Sequence, residues 1–110
     1  MLNLFQRKPR LYADVTGDEV RSLLAQQRVQ LVDVRSKGEW SRGHLKGATL
    51  APLPDLERKA AKLKRDVPVI CYCATGSRSR RAASMLAEMG FSDVRNLSGG
   101  ISRWGGEVVR

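Results

Sequence analysis

The sequence contains few of the residues that build metal sites and disulfide scaffolds. Its 110 residues include one histidine and two cysteines, and aromatic residues make up 5% of the chain. Cys71 and Cys73 are separated by one residue in an apolar segment that predicts a strand, where their Cα atoms would lie about 6.5 Å apart with parallel side chains. That geometry is poor for a disulfide, and a C-x-C pair with a single histidine lacks the ligand spacing of a structural zinc site. We therefore predict two free thiols, no bound metal and no cofactor.

Long apolar runs are also absent. No segment approaches the roughly 20 apolar residues of a membrane-spanning helix, and the N-terminal MLNLFQRKPR has too short an apolar stretch for a signal peptide. The sequence therefore predicts a cytoplasmic protein without membrane association. A length of 110 residues suits one hydrophobic core. Because no repeat or linker divides the chain, we predict a loose N-terminal arm over residues 1–10 and one domain over residues 11–110.

Positive charge is plentiful, with 20 lysines and arginines against 11 acidic residues and a net charge of +9. Such an excess favours anionic substrates, acidic partner proteins or nucleic acid. The bases at residues 58–65 are typical of a solvated helix face, whereas those at residues 78–81 follow a cysteine and need another explanation. Nucleic acid is the least favoured partner, because no aromatic residues are interleaved with the basic ones in the way that stacks bases.

Apolar periodicity predicts strands that alternate with helices. The strongest predicted strand is VPVICYC at residues 67–73, and a capping box of Thr16 and Glu19 predicts the start of a helix that ends near Arg28. The apolar stripe of that helix is Val20, Leu23 and Leu24. Further strands are predicted over residues 11–15, 29–34, 47–52 and 93–97, and further helices over residues 54–65 and 78–89, within residues 36–44, and around Trp104.

Strands in this alternation predict an α/β fold with a central parallel sheet covered by helices on both faces. Ligands of such sheets bind beyond the carboxyl ends of the strands. Cys73 lies at that end of the strongest predicted strand, which makes it the candidate nucleophile. Cys71 lies inside the strand and is predicted to be a small buried hydrophobic residue.

The residues after Cys73 predict an anion-binding loop. The turn at residues 74–77 is small enough to direct several backbone N–H groups at one atom, its glycine can adopt a positive φ, and the following helix points its positive end at the same place. The pKa of a thiol falls in such surroundings. Helix N-termini ordinarily favour acidic residues, yet Arg78, Arg80 and Arg81 begin this helix. An anion at the helix end explains Arg78, whereas solvent exposure explains the other two equally well.

The sequence resembles the rhodanese homology domain. The matching motifs are LVDVRSKGEW at residues 31–40, GHLKGATLAP at residues 43–52, VICYCATGSRS at residues 69–79 and LSGGISRW at residues 97–104. Together they cover nearly the whole chain. The resemblance implies a single α/β domain with a central parallel sheet, and a sulfurtransferase that carries sulfur as a cysteine persulfide.

Carried over by position, the resemblance implies that Cys73 is the nucleophile. The implied active-site loop consists of Cys73, Ala74, Thr75, Gly76, Ser77 and Arg78. The implied substrates are a small anionic sulfur donor such as thiosulfate and a thiol or cyanide acceptor. An acidic thiol protein is a second candidate acceptor, in which case the chain is a protein-to-protein sulfur carrier with little turnover of small molecules.

The length of this loop distinguishes it from the loop of cysteine phosphatases. Those enzymes have Cys-x5-Arg, with room for a tetrahedral phosphoryl group, whereas Cys73 and Arg78 form Cys-x4-Arg. The shorter loop favours a terminal sulfur. One departure from the family is Ala74, where arginine is common; its absence removes an anion contact and leaves the affinity for thiosulfate open.

Several other polar residues are predicted to be structural. Asp33 and Arg35 at a strand end, with Glu39 nearby, are typical of an ion pair or loop-capping network. His44 is the only histidine, and its position in a connecting segment favours a hydrogen-bonding role over that of a general base, because a preformed thiolate needs no base. The two tryptophans are assigned to packing in the core or at its rim.

Overall fold

The five segments predicted as strands pair in one parallel sheet. The computed structural model describes residues 11–110, and the arm predicted over residues 1–10 lies outside the described residues. The strands are β1 (Ala13–Val15), β2 (Gln30–Asp33), β4 (Thr49–Leu50), β5 (Val69–Tyr72) and β6 (Val94–Leu97). Their spatial order is β1-β6-β5-β2-β4, with every neighbouring pair parallel. The strongest predicted strand, β5, is therefore the central one.

Four helices connect the strands, and their first residues explain where they begin. They are α1 (Gly17–Gln26), α2 (Lys37–Ser41), α3 (Leu56–Ala60) and α4 (Ser77–Glu88). The predicted capping box forms at α1, where Glu19 N–H donates to the Thr16 hydroxyl at 3.1 Å, and Ser36 with Glu39 forms another at α2. Two 3-10 helices, Leu53–Asp55 and Gly100–Arg103, complete the helical segments of the described residues 11–110. Within residues 11–110, none of the helices has the length and apolarity needed to cross a membrane.

The sheet has a hydrophobic core on each face. Alternate residues of β5 point to opposite sides, so Val69 and Cys71, like Cys73 just after the strand, pack with α3 and α4, whereas Ile70 and Tyr72 pack with α1. The first core is built from buried residues such as Leu56, Ala82, Ala83 and Leu86, and the second from residues such as Val20, Leu45, Leu97 and Trp104. The predicted α/β fold, with helices on both faces of a central parallel sheet, is confirmed.

Two helix predictions were wrong in extent. The helix predicted over residues 54–65 ends at Ala60; beyond it, the Gln30 side chain accepts a hydrogen bond from Lys64 N–H and donates one to Lys64 O, at 2.9 and 2.8 Å, and so holds the chain in a turn. Helix α1 ends at Gln26, near its predicted end, but Leu24, which was predicted in its apolar stripe, is 40% exposed, whereas Val20 and Leu23 face the core. The last short helix ends at Arg103, one residue before Trp104.

A small antiparallel pair was not predicted. Strand β3 (His44–Leu45) pairs with β7 (Val108–Val109), so the C-terminal residues lie against the connection that follows α2. Two-residue strands are too short to show a period in the sequence, and their pairing spans more than sixty residues of chain. One residue of this pair, Val108, lines a pocket that is described below.

Candidate active site

The loop at residues 73–78, called here the Cys73 loop, turns its backbone around the sulfur of Cys73. Cys73 immediately follows β5, at the carboxyl end of the central strand. Gly76 has φ +114°, in the left-handed region that glycine adopts readily, and its N–H donates to Cys73 Sγ at 3.1 Å. Helix α4 begins at the next residue, Ser77. The sulfur therefore lies among inward-facing amides at a helix N-terminus, the arrangement that the sequence predicts.

These contacts lower the pKa of Cys73. Burial is the largest single influence and favours the neutral thiol, but hydrogen bonds from the side chain and backbone of Ser79 and from the amides of Gly76 and Thr75 together outweigh it. The pKa of Cys73 is therefore below that of an ordinary thiol. A larger fraction of the side chain is thiolate, the form that reacts as a nucleophile.

A polar network beneath Cys73 was not predicted from the sequence. Ser79 Oγ lies 3.5 Å from Cys73 Sγ, and it donates to Asn96 Oδ1 at 2.5 Å. Asn96 Nδ2 in turn donates to Asp14 at 3.0 Å, an acceptor that fixes which end of the amide faces Ser79. Ser79 and Asn96 are completely buried. Asn96, a polar residue inside a predicted strand, was the available signal, because a buried polar group needs a partner.

A second turn supports the Cys73 loop from the side. Gly100 has φ +59°, and a Cβ placed there would overlap the carbonyl oxygens of Cys73 and Ala74. The N–H groups that follow it donate to the same oxygens, from Ile101 to Cys73 at 2.9 Å and from Ser102 to Ala74 at 3.2 Å. The turn at residues 98–100, called here the SGG turn, therefore fixes the backbone carbonyls of the loop while the N–H groups of the loop remain directed at the sulfur.

Arg78, predicted to bind an anionic substrate, is held by an acidic side chain. Its two terminal nitrogens donate to the two carboxylate oxygens of Glu39 at 2.8 and 2.9 Å. This pairing, followed by the capping contacts of Ser36, lowers the pKa of Glu39 to about 2, so the carboxylate stays charged. Arg78 ties α2 to the start of α4, and each of its terminal nitrogens gives one N–H to this pairing.

The predicted network of Asp33 and Arg35 forms without Glu39. Arg35 donates to the Asp33 carboxylate at 2.7 Å and to Gly43 O at 2.6 Å, and both side chains are buried. Its position beside the site is structural, because it joins the end of β2 to the segment that leads into β3. The ion pair predicted between Asp33 and Arg35 therefore forms, but Glu39 binds Arg78 and makes no hydrogen bond with either of them.

The family model of the rhodanese-like domain matches residues 16–107 of this sequence. The chain belongs to the rhodanese-like family. A solved relative with the same fold is a rhodanese-related protein from Thermoplasma volcanium, 28% identical, with a TM-score of 0.80 and coverage of 89% of this chain and 98% of that one. Family membership confirms the resemblance found in the sequence.

Named relatives connect this rhodanese-like chain with sulfur transfer. It is 34% identical over 108 residues to the uncharacterized protein YqhL of Bacillus subtilis, and the aligned region covers 98% of this chain and 84% of that protein. It is 37% identical over 76 residues to the thiosulfate sulfurtransferase GlpE of Shewanella oneidensis, across 69% and 75% of the two chains. A probable adenylyltransferase/sulfurtransferase, MoeZ of Mycobacterium tuberculosis, is 39% identical over 93 residues, but the chain spans only 24% of its length. Sulfurtransferase activity is therefore found in this family.

The remaining candidates of the rhodanese-like domain are structural. His44 Nδ1–H donates a hydrogen bond to Trp40 O at 3.0 Å, and its ring stacks on Trp40 with centroids 3.4 Å apart. Trp104 is buried and its indole N–H donates to Glu107 O at 3.1 Å. Within residues 11–110, no group of three or more histidine, cysteine or acidic side chains is placed to hold a metal ion.

Proposed function

We propose that this protein is a sulfurtransferase that carries sulfur as a persulfide on Cys73. The observation that carries the proposal is the set of backbone N–H groups of Thr75, Gly76 and Ser79 that converge on Cys73 Sγ and, with the Ser79 hydroxyl 3.5 Å away, lower its pKa. Donors fixed before the reaction stabilise negative charge on sulfur without reorganising. The same donors suit the thiolate that attacks and the terminal sulfur that is carried.

Two displacements account for the transfer. In the first, the Cys73 thiolate attacks the outer sulfur of thiosulfate; the new S–S bond forms as the old one breaks, and sulfite leaves with the bonding electron pair. In the second, a thiolate or cyanide attacks the outer sulfur of the persulfide, and Cys73 leaves as the thiolate. The acceptor carries the sulfur away as a persulfide or thiocyanate. The kinetics should be ping-pong, because each half-reaction is complete before the next begins.

Intact mass of the purified protein tests this proposal. After exposure to thiosulfate, wild type should gain one sulfur atom, and a reductant should remove it. Cys73→Ser should gain none, whereas Cys71→Ser, the matched control two residues away, should gain sulfur as wild type does. If Cys73→Ser gains sulfur and Cys71→Ser does not, Cys71 is the nucleophile and the proposal is wrong.

A second candidate function is protein-to-protein sulfur carriage. Three observations favour it: Cys73 has no exposed surface, Ala74 stands where the family commonly has arginine, and the chain has a net charge of +9. A buried thiol is reached only after the loop moves, which a docked protein can bring about, and a positive surface attracts an acidic partner. Slow turnover of thiosulfate, together with protein transfer that slows steeply as salt is added, would select this function over the first.

A further inference from the structure

A pocket of about 300 Å³ lies beside the Cys73 loop. It is lined by Arg35, Glu39, Arg42, Gly43, Ile101 and Val108. Two of these residues border the loop directly: Glu39 binds Arg78 at its end, and Ile101 N–H donates to Cys73 O at its start. The volume is at the small end of the range for ligand sites, so the pocket suits a small molecule or the end of a larger one.

The charges around this pocket cancel except at one residue. Arg35 is paired with Asp33 at 2.7 Å, and Glu39 is paired with Arg78 at 2.8 Å. The guanidinium of Arg42 makes no ion pair and no hydrogen bond with any group in residues 11–110. Its charge is the unbalanced one, and it is exposed where α2 ends.

The guanidinium N–H donors of Arg42 have no acceptor within residues 11–110, whereas two of those of Arg78 are used by Glu39. Arg78 was predicted to bind the anionic substrate, and Glu39 accepts one N–H from each of its terminal nitrogens. An arginine without a partner keeps all of its donors for an oxyanion, and its planar guanidinium matches a sulfonate or carboxylate. Two other lining residues, Ile101 and Val108, are apolar and suit the short hydrocarbon part of a thiol.

We propose that Arg42 binds the anionic end of a sulfur substrate in this pocket while its sulfur end reaches Cys73. The inference rests on the proposed function, since it names the part of that same site which recognises charge. The ligand chemistry is a sulfonate or carboxylate, and it can belong to the donor, as in thiosulfate, or to an anionic thiol acceptor. Either source places the charge at Arg42 and the reacting sulfur at the loop.

The two half-reactions measured separately distinguish the two sources. In the first arm, persulfide formation is followed by intact mass as thiosulfate concentration is raised. In the second arm, protein already loaded with sulfur is discharged by mercaptoethanesulfonate and, in parallel, by the neutral mercaptoethanol. The variants are Arg42→Gln, Arg42→Lys, and the control Lys37→Gln, which removes one positive charge from an exposed residue of the same helix outside the pocket.

For Arg42→Gln we expect the half-saturating concentration of at least one anionic substrate to rise by about fivefold, between the effects of an exposed and a desolvated ion pair. The arm that changes identifies the source. Arg42→Lys should recover part of the affinity, Lys37→Gln should behave as wild type, and added salt should reduce the difference. Discharge by mercaptoethanol should be the same in all four proteins.

Two results would overturn the inference. Unchanged constants in both anionic arms would mean that Arg42 binds neither substrate. An equal loss with mercaptoethanol would mean that the substitution disturbs the loop rather than charge recognition. If wild type instead forms no persulfide from thiosulfate or from polysulfide, the proposed function itself fails, which is a different result from a loaded wild type with identical variants.

Discussion

Cys71 and Cys73 lie in the same core cluster and are both completely buried, yet their pKa values move in opposite directions. Burial raises the pKa of Cys71 to about 12, with a further contribution from the nearby Cys73. The pKa of Cys73 is lowered although burial acts on it too. Accessibility therefore does not separate the two thiols.

The difference lies in what the backbone around each sulfur is bonded to. Cys71 is paired in register with Val32 on one side and Asn96 on the other, so the ladder uses the nearby N–H groups. Cys73 lies one residue beyond the strand, where the chain turns and the amides of the loop have no ladder partner. Those amides are free to donate to sulfur, and a reactive cysteine therefore belongs at a strand end rather than inside a strand.

The largest expected contrast is in the ionisation of the two thiols. With the pKa of Cys71 near 12, less than about one part in a thousand of it is thiolate at pH ~8. Cys73 should ionise below the pH of an ordinary thiol. Thiolate ultraviolet absorbance, titrated in Cys71→Ala to report Cys73 and in Cys73→Ala to report Cys71, measures each value. Overlapping titration curves for the two variants would contradict the comparison.

The same shifts fix the sign of the pH dependence of stability. Because folding favours the Cys73 thiolate, the free energy of unfolding should increase as pH rises from the folded pKa of Cys73 to the ordinary thiol pKa. Folding favours the Cys71 thiol, so that residue should lower the free energy of unfolding between the ordinary thiol pKa and about 12. Unfolding of Cys71→Ala and Cys73→Ala across alkaline pH separates these two slopes.

A smaller but still large effect on stability and sulfur loading is expected from a substitution that displaces the Cys73 loop and leaves Cys73 itself unchanged. In Gly100→Ala, the new Cβ would overlap the carbonyl oxygens of Cys73 and Ala74, the latter at 2.6 Å, in a backbone with φ +59°. Overpacking and left-handed strain together should cost about 2–4 kcal/mol of unfolding free energy. Sulfur loading should fall by roughly tenfold or more, because the donors that lower the pKa of Cys73 are displaced.

Gly47→Ala is the matched control for this substitution. Gly47 also has a positive φ, +83°, but nothing lies within 4 Å of a Cβ placed there. It should therefore cost about 1 kcal/mol of backbone strain and leave loading unchanged. If Gly100→Ala unfolds and loads as Gly47→Ala does, the SGG turn does not hold the Cys73 loop in place.

Apolar periodicity and strand–helix alternation were sufficient to predict the parallel sheet, its central strand and helices on both faces. These features depend on patterns that extend over many residues, such as the continuous run at residues 67–73. The β3–β7 pair and the early end of α3 depend on single contacts, such as that of Gln30 with Lys64. Contacts between residues far apart in the chain leave no local period to read.

The site divides in the same way. The convergence of amides on Cys73 follows from a turn, a glycine and a helix start that are consecutive in the sequence, and so it was predictable. The pairing of Arg78 with Glu39 joins residues 39 positions apart, and the contact of Ser79 with Asn96 joins residues 17 apart. The prediction for Arg78 was based on its own segment alone, whereas the acidic residue that pairs with it, Glu39, lies in α2.

The smallest expected effect concerns Ser79, whose hydroxyl has one proton for three neighbouring acceptors. Asn96 Oδ1 at 2.5 Å, Gly76 O at 3.1 Å and Cys73 Sγ at 3.5 Å all lie within reach. In the thiolate state the proton helps to hold the charge on sulfur, so Ser79→Ala should raise the pKa of Cys73 by up to about one unit, the value of one hydrogen bond. Loading below that pKa should slow by up to about tenfold.

Ser84→Ala is the control, an exposed serine on the same helix, and its thiolate titration should match that of wild type. Ser79→Ala should also lower the free energy of unfolding by about 1–3 kcal/mol, because Asn96 Oδ1 loses its donor in a buried site. A loss of stability without a change in the titration would make Ser79 a packing residue. A raised pKa would show that the strand-end amides need this hydroxyl to distinguish Cys73 from Cys71.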